Sequence, residues 1–89
     1  MGKSFNELFE ESNRVLLAFL KRELNLGFTF AGMAKEYHDR GNRERYAQNK
    51  KNAKTVLKTV ANFRERLSDA AKDEIDLDYS KLQNFISGV

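Results

Sequence analysis

The only histidine, His38, stands in Lys35-Glu36-Tyr37-His38-Asp39-Arg40, the first place to look for chemistry. A helical metal site sets carboxylate and imidazole on one face, as in Glu-x-x-His. Glu36 and His38 are two residues apart, which on a helix turns them roughly 200° from each other. Lys35 and Arg40 flank them and oppose a cation, so His38 reads as a solvated histidine at the end of a helix. The acids Glu7, Glu10 and Glu11 fall in the first turns of a helix, where negative charge complements the helix dipole. Glu23 lies on the inward, mostly apolar stripe opposite Val60, where it reaches solvent along its stem or pairs with Arg64. The sequence has no glycine-rich phosphate loop, no nucleophile elbow and no Ser/His/Asp spacing. It has no cysteine either, which removes disulfides and thiolate metal sites. A noncatalytic protein is expected, with no catalytic residue, no metal and no cofactor.

Charge is the stronger functional hint. Residues 35–66 hold ten Lys and Arg against four acids, a net of +6, while residues 1–34 balance and 67–89 carry −3. Lys50, Lys51, Lys54 and Lys58 form a candidate basic face. Such a helix can bind a phosphate backbone nonspecifically, although lysines in this number usually form a wet face and the acidic tail opposes nucleic acid. The most apolar run, Val15 to Leu20, is far short of the ~20 residues that span a membrane. No membrane partner and a cytoplasmic location are expected.

These residues must be positioned by helices. Proline is absent, charged residues make up 33% of the 89, and strand formers never alternate over a useful length. Ser4-Phe5-Asn6-Glu7 spells a capping box that starts a helix. Its apolar stripe passes in steps of three and four through Phe5, Phe9, Leu16, Phe19, Leu26, Phe30, Met33 and Tyr37, with Ser12 and Glu23 in the remaining places. The unbroken phase predicts one helix over 4–40. A break near Gly27 is the alternative, since Asn25-Leu26-Gly27 resembles a helix end.

Arg40-Gly41-Asn42 predicts a tight turn, because Gly and Asn most readily take positive φ. A second helix over 43–72 follows, with a heptad seam of Tyr46, Asn49, Ala53, Val56, Val60, Phe63, Leu67 and Ala70. So short a loop makes the pair antiparallel, with Tyr37 against Tyr46, Phe30 against Ala53 and Leu16 against Leu67. Asp73-Glu74-Ile75-Asp76 breaks the pattern, and Asp76 or Asp78 caps a last helix over 77–87 whose apolar face is Tyr79, Leu82, Phe85 and Ile86. That helix is expected over the Phe5–Leu24 end, where Leu8, Val15, Leu17, Leu20 and Leu24 widen the stripe. The predicted fold is a single all-α domain over 1–89, an antiparallel hairpin plus a short C-terminal helix, or four helices if the chain breaks at Gly27.

Phe30, Met33, Ala34, Tyr37, Gly41 and Ala53 fall where a tetratricopeptide unit has its aromatic, Leu, small, Tyr, turn Gly and Ala residues, so Phe30 to Lys58 resembles one such helix-turn-helix unit. With Asp39, Gly41-Asn42 and Tyr46 it is also similar to microtubule-interacting-and-transport domains, which are three-helix bundles. The resemblance implies a helical hairpin and carries no peptide-binding residues across.

A short third helix would leave Phe28, Phe30, Met33 and Tyr37 faced only by Ala53, Tyr46 and polar Asn49. These four are the candidate interface, with a second copy of the chain as the expected occupant and a protein or peptide partner as the wider class. The alternative function is a small basic nucleic-acid-binding protein.

Overall fold

Three helices follow one another in the computed structural model: α1 (Phe5–Asp39), α2 (Arg43–Arg64) and α3 (Asp69–Gly88). It describes residues 4–89, apart from the side chains of Phe5 and Asn6. The predicted all-α, three-helix arrangement is found, with no strand among the described residues. Phe5, the first place of the predicted stripe, lies outside the described side chains. The Ser4 hydroxyl accepts from the Glu7 N–H at 3.3 Å and caps α1. The helix then runs unbroken through Gly27 for 35 residues, about 52 Å at 1.5 Å per residue.

Gly41 reverses the chain at φ +76°, the only positive φ among the described residues. Asn42 caps α2 by accepting the Arg45 N–H on Oδ1 at 3.1 Å, and the Asn42 N–H returns to the Tyr37 carbonyl at 2.9 Å. A β-branched residue at this φ is strained, so Gly41→Val should cost about 1–2 kcal/mol in a thermal or urea melt. An unchanged melt would remove Gly41 as the reason for the turn.

The hairpin register follows the prediction. Arg45 reaches the Tyr37 hydroxyl at 3.2 Å, and Phe19 meets Phe63 edge to face with centroids 6.2 Å apart. At the far end Asn13 Oδ1 accepts the Ser68 N–H at 2.7 Å. Because Asn13 lies level with the α2–α3 turn, the first turns of α1 project beyond it.

The second break differs from the prediction. The second helix stops at Arg64 rather than 72, and the third begins at Asp69 rather than 77. Ser68, extended at ψ 161°, caps α3 by accepting the Ala71 N–H at 3.3 Å, and Asp69 follows in the first turn. The supposed breaker Asp73 to Asp76 is helical, because Ile75 is wholly buried and the Asp76 carboxylate is engaged by Arg64 instead of acting as a cap. Arg64 Nε and Nη2 grip the two Asp76 oxygens at 2.7 Å each, a bidentate pairing that clamps α2 to α3. These hydrogen bonds outweigh partial desolvation and, with the nearby Lys72 charge, hold Asp76 below the usual carboxylate range. Arg64 is therefore taken by Asp76, and the pairing with Glu23 considered from sequence is not made.

The third helix is 20 residues long, so it runs back much further than predicted. Lys21 meets Glu74 at 3.8 Å, Phe28 packs edge to face on Phe85 with centroids 6.5 Å apart, and the Tyr46 hydroxyl donates to the Val89 carbonyl at 2.8 Å.

The core of α1 is rotated by about one residue, roughly 100°, from the predicted stripe. Leu20, Leu24, Ala31 and Ala34 are buried, as is Gly27, whereas Phe9, Phe19, Leu26 and Met33 stay substantially exposed. On the partner helices Ala53, Val56 and Val60 of α2 and Ile75, Leu82 and Ile86 of α3 fill the same core. Three helices converge more closely on a face of Gly, Ala and Leu than on one of aromatic rings. A Cβ added at Gly27 would lie 2.5 Å from Leu82 Cδ2 and 2.9 Å from Val56 Cγ1. At Gly27, therefore, side chains of α2 and α3 come close against the α1 backbone, which a helix-continuity argument alone does not reveal. Asn49, the one polar member of the α2 seam, is buried and satisfied by donating from Nδ2 to the Arg45 carbonyl at 2.8 Å.

Candidate interaction surface

The group around His38 lies in the last turn of α1, beside the Gly41 turn. Glu36 and Arg40 pair at 2.6 Å along α1, and the imidazole leans on the Tyr46 ring at 5.1 Å between centroids. Its Nδ1 lies 3.6 Å from Asp39, and Glu36, His38, Asp39 and Arg40 are all exposed. Among the described residues no three His, Cys, Asp or Glu side chains converge as a metal site.

The four residues of the predicted interface do not stay together as an open strip. Phe28 is half-buried under Phe85, and Phe30 packs against the core cluster. Tyr37 is half-buried, its ring 5.6 Å from the Arg45 guanidinium, which also donates to its hydroxyl. Met33 alone remains exposed. The premise of a third helix too short to reach Phe28 fails because α3 begins eight residues earlier than expected.

The basic face divides in the same way. Lys51, Lys54 and Lys58 point to solvent. Lys50 is half-buried, with Nζ donating to the Tyr46 hydroxyl at 3.2 Å and to the Val89 carbonyl at 3.4 Å, over the Tyr46 ring at 5.5 Å.

The apolar surface that is left open lies elsewhere. Leu8, Val15, Phe19, Leu26 and Met33 of α1 are 38–68% exposed. Their spacing keeps them on one side of the helix, roughly opposite Lys21 and Phe28, the residues that meet α3. Near the overhanging end this surface deepens into a shallow groove lined by Leu8, Val15, Leu16 and Phe19. A second groove opens between Phe9, Asn13 and Leu17 of α1 and Ala70 and Ala71 of α3. The sevenfold spacing of Phe19, Leu26 and Met33 is the sequence signal for this face, although the predicted stripe places the same residues in the core.

Isolated apolar residues on a surface need no explanation; a contiguous row of large ones does. The row is suited to packing against another helix rather than to chemistry. No described helix is long and apolar enough to cross a membrane. The chain matches no protein family, no curated protein and no solved structure in the comparisons made.

Proposed function

We propose that this chain is a noncatalytic helical module that works by protein–protein association, first of all with a second copy of itself. The observation that carries the reading is the row of large apolar side chains left in water along α1. Fully burying one such side chain is worth roughly 1.5–3 kcal/mol, and a half-exposed one contributes a part of that. Five in a row supply enough to hold a partner helix once the cost of association is met. Small domains also gain stability by oligomerisation when they lack disulfides and metals. The likeness of Phe30 to Lys58 to a tetratricopeptide-type hairpin is compatible with such a module.

Light scattering coupled to size exclusion tests this. A dimer of twice the 10.3 kDa chain mass is expected at micromolar concentration, and a monomer that persists at high concentration would sink the reading. A second reading, nonspecific nucleic-acid binding, rests on Lys51, Lys54 and Lys58, which share an open face of α2 and have no ion-pair partner among the described residues. It requires retention on a nucleic-acid column that falls steeply with salt; a dimer with no such retention favours self-association alone.

A further inference from the structure

The exposed row on α1 belongs to a heptad series. In alternating steps of four and three it runs Leu8, Ser12, Val15, Phe19, Arg22, Leu26, Thr29, Met33, the spacing of the inward positions of a coiled coil. The series spans about 38 Å of helix and more than three heptads, enough for a specific seam. It is also self-complementary when reversed. With Leu8 of one chain set against Met33 of an antiparallel copy, Ser12 falls opposite Thr29, Val15 opposite Leu26, and Phe19 opposite Arg22. Large apolar groups meet large apolar groups, hydroxyl meets hydroxyl, and an aromatic ring meets a guanidinium.

We propose that α1 pairs with α1 of a second copy in this antiparallel register, with two Phe19–Arg22 contacts astride the twofold axis. The proposal rests on the self-association reading and adds the face, direction and alignment. Charge decides the direction. A parallel in-register pair would set the two Arg22 side chains against each other inside the seam, where like charges repel. The antiparallel pair lays each guanidinium by a Phe19 ring, an attractive contact. Glu23, half-buried and four residues beyond Phe19, lies on the same side of the helix, so the incoming Arg22 also meets a carboxylate. Neither Arg22 nor Glu23 has a hydrogen-bond or ion-pair partner among the described residues, so both are available. Lys21 and Phe28 occupy the other side of α1 against α3, and α3 therefore does not block the approach.

The chain has no native cysteine, which allows single thiols to report the geometry. Ser12→Cys and Thr29→Cys variants are made separately, mixed and mildly oxidised. The proposed register gives the disulfide between the two different variants as the main product. It gives little of either self-linked dimer, because two copies of position 12 would lie about 26 Å apart, far beyond disulfide reach. Self-linked products in place of the mixed one indicate a parallel pair and overturn the register while leaving self-association standing. A dimer by light scattering that forms no mixed disulfide overturns it as well. A wild-type chain that is monomeric throughout overturns the reading beneath. As a second measure, Arg22→Glu should raise the dimer dissociation constant about tenfold or more, with helix content unchanged. A dimer indifferent to Arg22→Glu removes the central contact and with it the proposal.

Discussion

Leu82→Ala should lower the stability of the folded chain by about 3 kcal/mol. Leu82 is fully buried where α3 crosses between α1 and α2, with a methyl in the space that a side chain at Gly27 would occupy. The neighbours cannot fill the hole: Gly27 has no side chain, and Val56 is restricted at χ1 by its branched Cβ. For a domain of this size each kcal/mol shifts the melting temperature by about 4–8 °C, so a fall of roughly 15 °C is expected. The loss is a large share of the 5–15 kcal/mol that holds a typical domain together. Phe85→Ala, at an exposed edge of the same helix, should cost clearly less. A melt in which the two variants fall equally would show that α3 does not dock through Leu82.

Gly27→Val should be comparably harmful, and for the opposite reason. In an exposed helix, replacing glycine with a residue bearing a side chain recovers several tenths of a kcal/mol of helix propensity. Here the first added carbon already meets Leu82 and Val56 at 2.5 and 2.9 Å, and valine adds two more. Overpacking of a close-packed core costs about 1–3 kcal/mol, and valine at this junction should reach the upper end. The smaller Gly27→Ala, which a continuous helix alone would make neutral or stabilising, should instead destabilise. The steric cause is separable by a double-mutant cycle: in a Leu82→Ala background, Gly27→Ala should lose its penalty and fill part of the cavity. An additive cycle would refute a direct clash between the two positions.

Much of the local organisation was legible in the sequence. The Ser4 cap, the Gly41 turn with Asn42 behind it, and the α2 seam from Asn49 to Val60 each follow from short-range chemistry in the chain itself. Antiparallel pairing in the observed register then follows from the brevity of the loop. The α2–α3 junction was harder. Leu67 continues the heptad pattern, and Ser68 lacks the acidic residue three places on that would complete a capping box; Ala71 stands there instead. The acids from Asp73 to Asp76 imitate a helix start that the chain does not use, because Asp76 has a better partner in Arg64 twelve residues earlier.

The sequence by itself determined that the chain is helical, where it first turns back, and that α1 carries more apolar surface than one neighbour can cover. Only the tertiary structure decided which of two apolar stripes on α1 faces inward. Both stripes repeat in threes and fours, so periodicity cannot rank them. The choice falls to packing: helices that must meet at Gly27 approach along Leu20, Leu24, Ala31 and Ala34, where side chains are small enough or positioned to interlock. That leaves Phe19, Leu26 and Met33 turned partly to water. The longer α3 then covers Phe28, which moves the open surface from the residues expected to form an interface to the adjoining face of the same helix.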